Sequence, residues 1–527
     1  MCPADCTCRC GDGVCVFGEW CATCPADCDC TPAATPPMGW NSWNIFGCDI
    51  DEKRIKEVAD AIVQSGMRDL GYRYVNLDDC WQVARDPSGQ IVADPARFPS
   101  GMKALADHVH SLGLLFGTYT CAGPLTCQGR PGSFDYEVQD AITYAAWGVD
   151  FVKEDWCSAE KMDARERYRV MHDAILKSGR PMLLSICNWG RQQPWVFGRE
   201  VGTMWRTTDD IGDTFMRMLI NLETNWPLAP YTGPFGYNDP DMLEVGNGGM
   251  SADEYRAHFS LWAMMAAPLI AGNDVRTMTE ETRSILLNEE VIAVDQDPSV
   301  VAGVKVRAGD VELWARPLTM PGGRAVVLFN KTETPVPGGF AFEEVGLSGG
   351  EASVRDLWNH KDLGVFHDRF DAPSVPPHGV VMLLVRGAEH APHPGVTSLL
   401  ENRYKHASAH PDPVRAITSP FIAGRPYGEG LYVGAASVVI YDLGGRCVRF
   451  SAAAGIEDSA GGKGTVVFEA RAAGRQVRTG VVRAGQEPVP IELDLTSARE
   501  LWLVTTPAGD GEYGDRAVFL DPLLECR

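Results

Sequence analysis

The segment VDFVKED, residues 149–155, runs from apolar residues straight into three charges. Read as a strand with a two-residue side-chain period, it sets Lys153 and Asp155 on one face and Glu154 on the other. An apolar strand that ends in polar groups is what a (β/α)8 barrel carries at the face where its chemistry sits. Working outward, similar runs recur at 38–43 (MGWNSW), 72–79 (YRYVNLDD), 114–120 (LLFGTYT), 182–189 (MLLSICNW) and 203–210 (TMWRTTDD). Two more are a segment ending in NDPDML (238–243) and the apolar run near 261–272. Amphipathic stretches such as 51–66 lie between them. Eight strands alternating with helices over residues 36–300 predict a TIM barrel. A doubly wound sheet is the alternative, but no glycine-rich phosphate loop follows the first strand.

The predicted strand ends collect Trp43, Asp78, Asp79, Tyr119, Lys153, Asp155, Asn188, Arg206, Asp210 and Asp241. Alternation places Arg206 and Asp210 on one face, as it does Lys153 and Asp155. Cations beside Asp155 favour its ionised form. Two carboxylates on different strands suit glycoside hydrolysis, one attacking the anomeric carbon and the other protonating the leaving oxygen. Salt-bridged strand ends and a carboxylate Mg2+ site are the other readings of the same pattern.

The chain has 527 residues and a formal net charge of −23. That charge argues against nucleic-acid partners and anionic membrane surfaces, both of which need basic patches. The run FSLWAMMAAPLIAG (259–272) is too short to span a bilayer and contains Pro268, so it reads as core. His108 and His110 stand two apart on a helix and share no face, which argues against a metal pair. Nine of the seventeen cysteines fall within residues 2–30, where CPADC occurs at both 2–6 and 24–28. So dense a stretch reads as a small disulfide-rich module, residues 1–31, and places the protein in an oxidising, extracytoplasmic compartment. No signal peptide is visible, so it was removed or never included. A Pro/Thr/Ala linker follows. Beyond residue 300 the pattern turns β-rich, predicting an antiparallel β-sandwich over 301–386 and, after the linker GAEHAPHPG, a second β unit over 396–527.

MGWNSW, YVNLDDCW, FPSGMKALADHVHSLGL, WGVDFVKEDWC, WRTTDDI and GYNDPDMLEVGNGGMSADEYRAHFSLWAMMAAPLIAGNDVR together resemble, in order, the α-galactosidases of glycoside hydrolase family 27. The resemblance covers about 36–386. It implies a retaining exo-glycosidase that releases terminal α-D-galactose, with Asp155 as nucleophile and Asp210 as acid/base. It also implies that Asp78 and Asp79 hold sugar hydroxyls and that Trp43, Tyr119, Lys153, Arg206 and Asp241 contact the sugar. The disulfides it implies are Cys48–Cys80 and Cys127–Cys157. No cofactor or metal is called for, and the partner is a carbohydrate carrying α-galactosyl ends, with the terminal modules as attachments to a surface or a polysaccharide. Three departures stand out. Glu154 replaces an aromatic and, facing the helices, needs a partner there. Asn188 stands for a glutamate, and Cys121 for an aspartate. Because the family also includes β-L-arabinopyranosidases, α-N-acetylgalactosaminidases and isomaltodextranases, the last two bear on sugar preference; a catalytically inactive binding protein is the non-enzyme alternative.

The final unit resembles the NPCBM class of carbohydrate-binding module, a β jelly roll, through VVIYDLGGRCVRFSAAAGIED, GTVVFEARAAGRQV and LWLVTTPAGDGEYGDRAVFLDPLL. Where such modules carry His-Ala-Asp-Trp, this chain has Arg516, Ala517, Val518 and Phe519, which leaves two readings of this unit open, a sugar binder or a purely structural jelly roll. Cys447 and Cys526 are expected to close this unit.

Overall fold

A computed structural model describes residues 34–509, 511–512 and 514–527. The cysteine-rich stretch expected over 1–31 lies outside the described residues. The described chain forms two compact bodies: one runs through Asn225 and resumes at Thr232–Val300, and the other joins Trp226–Tyr231 to Val301–Arg527. Among the described residues, no helix is long and apolar enough to cross a membrane.

The first body is an eight-stranded parallel barrel. Its strands are β1 (Met38–Asn41), β2 (Tyr74–Asn76), β3 (Leu115–Cys121), β4 (Phe151–Asp155), β5 (Leu183–Cys187), β6 (Met204–Arg206), β7 (Tyr237–Asp239) and β8 (Leu269–Ala271). They pair in the order β8-β1-β2-β3-β4-β5-β6-β7, and the parallel bridge Leu243–Ala271 joins the two ends. The strands are almost wholly buried, as parallel strands under a layer of helices must be. The helices obey local chemistry. α1 (Glu52–Ser65) begins at Asp51, whose side chain accepts from the Arg54 amide, and stops at Gly66 in the left-handed conformation (φ +90°). It buries Ile55, Val58, Ala59 and Ile62 at helical spacing.

The run near 261–272 differs from the expected strand. Residues Ala252–Met264 form a helix with a Ser251/Glu254 capping box, and only Leu269–Ala271 remain as β8. An all-apolar run hides its period, and the capping signal lies upstream of it.

In the second body, a six-stranded antiparallel sheet and a two-stranded one enclose Leu313, Val326, Leu328, Phe340, Phe370 and Leu383. The chain continues into two six-stranded antiparallel sheets packed around Phe450, Phe468, Leu503 and Phe519, the jelly roll. Cys447 and Cys526 are disulfide-bonded there, on paired strands.

Candidate active site

Register assembles the pocket. Across β3, β4 and β5, Tyr119 pairs with Lys153 and Lys153 with Ser185; one step up, Cys121 pairs with Asp155 and Asp155 with Cys187. In-register parallel partners share a face, so these side chains line the barrel's interior towards its C-terminal end.

Asp155 is 6% exposed. Its Oδ2 accepts from the Tyr119 hydroxyl at 3.1 Å and its Oδ1 from the Trp156 amide at 2.8 Å. Burial pushes this carboxyl up to about 6, and Lys153 and the Trp156 amide only partly oppose it. Lys153 favours the ionised form, as expected of a neighbouring cation, but desolvation outweighs it. Lys153 is engaged lower down, its Nζ 2.9 Å from Asp78 Oδ2, an oxygen that also accepts from Asn41 Nδ2 at 2.8 Å. Asp79 spends both oxygens on backbone amides, those of Cys80 and Gln128. It thereby ties the β2 loop to the loop after β3.

Cys127 and Cys157 form a disulfide whose sulfurs lie within 4.8 Å of an Asp155 oxygen. The Tyr119 hydroxyl is 3.4 Å from Cys127 Sγ. Being joined to each other, these sulfurs form a wall beside Asp155 rather than a pair of free thiolates. Cys48 and Cys80 form a second disulfide, between the β1 and β2 loops.

On the other side, Arg206 is 3% exposed and its Nη2 lies 2.9 Å from both Asp210 Oδ1 and Asp241 Oδ2. β6 ends at Arg206, so Asp210 reaches it from a loop and not by strand alternation. The Asp210 side chain is 66% exposed. What burial it has works upward on its pKa, but Arg206 and Lys153 outweigh that and hold the carboxyl below the usual range. Asp241 has φ +84°, a strained conformation for a non-glycine residue, and accepts from the Ile211 and Met242 amides. Trp43, partly exposed, opens the helical turn that follows β1, with its amide donating to Asn41 Oδ1.

The structure thus brings together Asp78, Lys153, Tyr119 and Asp155, and likewise Arg206, Asp210 and Asp241. Asn188 is occupied differently: its Nδ2 donates to the Arg191 carbonyl within its own loop. On β5 it is Cys187 that stands beside Asp155, with its sulfur 3.6 Å from Arg206 Nη1. Sequence reading passed over it by taking the next residue, Asn188, as the strand end. Counting by twos in step with Lys153 and Asp155 selects Cys187. Asp239 was also missed. It pairs with Arg206 across β6 and β7, receives the Asp241 amide at 2.9 Å, and is raised to about 6 by burial against the pull of Arg206. Glu154, on the opposite face, is fully buried, and neither of its oxygens has a hydrogen-bond partner among the described residues.

Comparison with known proteins agrees with this architecture. Residues 35–297 match the family model described as alpha galactosidase A, 308–385 its C-terminal beta sandwich domain, and 415–525 the NPCBM/NEW2 domain. Alpha-galactosidase 3 of Arabidopsis thaliana is 50% identical over 352 residues, 64% of this chain and 80% of the plant protein. Alpha-galactosidase A of Cellvibrio japonicus is 46% identical over 374 residues, 67% of this chain and 92% of that one. Among solved structures, alpha-galactosidase I of Mortierella vinacea superposes with a TM-score of 0.65 at 37% identity, covering 68% of this chain and 99% of its own. A barrel with carboxylates gathered at its strand ends, matched this closely, is a glycoside hydrolase. The chain belongs to the α-galactosidases of glycoside hydrolase family 27.

Proposed function

We propose that the protein is a retaining exo-α-galactosidase in which Asp155 is the nucleophile and Asp210 the acid/base. What carries this reading is the unlike settings of the two aspartates: Asp155 enclosed, Asp210 two-thirds exposed and held by Arg206. Asp155 attacks the anomeric carbon while Asp210 protonates the departing oxygen; Asp210 then deprotonates a water that releases the sugar. In the free pocket the proton favours Asp155, the reverse of what the first step uses. Asp210 stands where it can take a proton from solvent, and an aglycone covering it would raise its pKa by desolvation. Asp78, Asp79, Lys153, Tyr119, Arg206, Asp241 and Trp43 are the proposed sugar contacts, with Cys187 added and Asn188 placed at the rim. We assign the catalytic barrel to 36–300, the sandwich to 301–386, the jelly roll to 396–527 and the cysteine-rich module to 1–31. Three disulfides among the described residues support an extracytoplasmic location.

The test is initial hydrolysis of aryl α-D-galactopyranoside against aryl β-L-arabinopyranoside and α-N-acetylgalactosaminide, with the first-formed anomer followed by NMR. Dominant α-galactoside cleavage with retention is the expected result, and Asp155→Asn should lower kcat by at least about 10^4-fold, the scale at which triad members act. An arabinoside preference would keep the mechanism and move the specificity to Asn188 and Cys121. Turnover surviving in Asp155→Asn would remove the nucleophile assignment.

A further inference from the structure

The second body contains a cavity of about 530 Å³ that has no part in the barrel pocket. Its lining includes Trp226, Lys305, Tyr404, His406, Ser408 and His410. His406–His410 is an edge strand, paired on one side only, with Ala436–Asp442. Ala407 packs on the jelly-roll core, so alternation turns His406, Ser408 and His410 to the other side, into the cavity. His406 is 5% exposed, and its Nε2 is buried with no hydrogen-bond partner among the described residues. A buried ring nitrogen left unsatisfied at a cavity wall is a group prepared for a ligand's hydroxyl. Tyr404 is 44% exposed, and Trp226 is half-buried with Lys305 Nζ 5.2 Å from its ring centroid, so Tyr404 offers the larger aromatic surface.

The charges around the cavity are already committed. Lys305 Nζ lies 2.9 Å from Glu312, and Lys405 Nζ 2.6 Å from Glu500. On the acidic side, Glu344 is held by Arg307 at 2.5 Å and Glu343 by Arg403 at 2.7 Å. Burial and the nearby arginines and Lys405 hold His406 neutral, near a pKa of about 3. Among the described residues lining the cavity, the lysines are already paired with carboxylates and offer an anion little. A neutral ligand with an apolar face and hydroxyl edges would find aromatic surface, an imidazole and an edge strand, in a volume within the usual range of small-molecule sites.

We propose that this cavity is a second saccharide-binding site, separate from the barrel pocket, which takes one or two units of a neutral glycan through Tyr404, Trp226 and His406. The experiment is a calorimetric titration of the full chain, carrying Asp155→Asn to prevent turnover, with galactose and with the tetraoses of mannose, glucose and xylose. The expected result is either binding of a galactose-free tetraose or more than one galactose per chain. Tyr404→Ala and, separately, His406→Gln should each weaken that component at least about tenfold. In the otherwise wild-type enzyme, the same two variants should keep kcat/KM on the aryl galactoside within about twofold. Two variants, each checked by circular dichroism, guard against one of them failing to fold. Three outcomes overturn the proposal: a single galactose site and no tetraose binding, a second component unmoved by both variants, or preference for an anionic saccharide such as tetragalacturonate over the neutral probes. Activity on the aryl galactoside is read separately, so failure here leaves the barrel reading standing, and the converse also holds.

Discussion

Glu154 shows how one side chain carries a cost unrelated to the chemistry beside it. Its carboxyl lies behind the barrel sheet with no hydrogen-bond partner, and burial, with a smaller contribution from Asp140, raises its pKa well above the ordinary value. A pKa raised in the folded state means that the group's contribution is fully present below the unfolded value, near 4.5, and is lost as pH rises towards the folded one. Within that window the loss is about 1.4 kcal/mol per pH unit. Glu154→Gln keeps the shape and removes the ionisable group, so its melting temperature relative to wild type should climb as pH rises above about 4.5 in calorimetric scans. A constant offset across that range would mean that Glu154 is ionised and paired in the native state. The sequence alone gave the orientation of this residue, because alternation from Lys153 and Asp155 is sufficient. It gave no partner, and among the described residues none lies within hydrogen-bonding distance.

At the scale of elements, the loops after β3 and β4 behave as one piece. The Ala122 amide donates to Asp155 O at 2.8 Å, Cys121 Sγ lies 2.9 Å from the Cys157 carbonyl, and the Cys127–Cys157 bond closes the set. Gly123 permits this approach, since a Cβ there would stand 2.3 Å from Cys157 O and 2.8 Å from Ser158 C, both backbone atoms. Gly123→Ala should cost about 1–3 kcal/mol by overpacking. It should also lower kcat/KM at least about tenfold, because the displaced backbone carries Asp155. A variant with wild-type kcat/KM and melting temperature would show that the loop yields freely. The alternation of strand and helix, and most strand positions, were legible in the sequence because burial fixes the period. Strand ends were less so: β6 stops at Arg206, four residues before the expected end, and the reach of Asp210 depends on a loop whose course no local pattern specifies. The helix Ala252–Met264 was hidden by its own burial, which removes the polar face that normally marks a period.

In the molecule as a whole, the second body is not two loosely tethered modules. Lys405, whose side chain is 3% exposed, lies 2.6 Å from Glu500, 3.5 Å from Glu389 and 3.6 Å from Asp442, and Arg324 of the sandwich lies 3.8 Å from Asp442 of the jelly roll. Burial raises the Asp442 carboxyl to about 6 in spite of Lys405 and Arg324. Lys405→Met would leave these carboxylates buried without their ammonium, a loss of about 3–5 kcal/mol. The unfolding transition of this body should fall accordingly in calorimetry, and adding Asp442→Asn should restore part of it. If the single variant melted like wild type, the network would not hold the sandwich to the jelly roll. Sequence reading separated the two β units by the composition of their linker, and composition is blind to ion pairs formed across it.

The thiol of Cys187 shares the barrel interior with Asp155, and burial keeps it protonated, its pKa held well above that of an ordinary cysteine. Alkylating reagents attack thiolates, so iodoacetamide should leave the enzyme almost untouched at neutral pH. Soft metal ions such as mercury(II) or silver(I) bind sulfur strongly enough to displace its proton. They should therefore poison the enzyme, galactose in the pocket should delay that loss, and Cys187→Ser combined with Cys121→Ser, the other free thiol in register with Asp155, should abolish it. Two buried sulfurs would then make this hydrolase sensitive to a class of toxicant that its own reaction never meets.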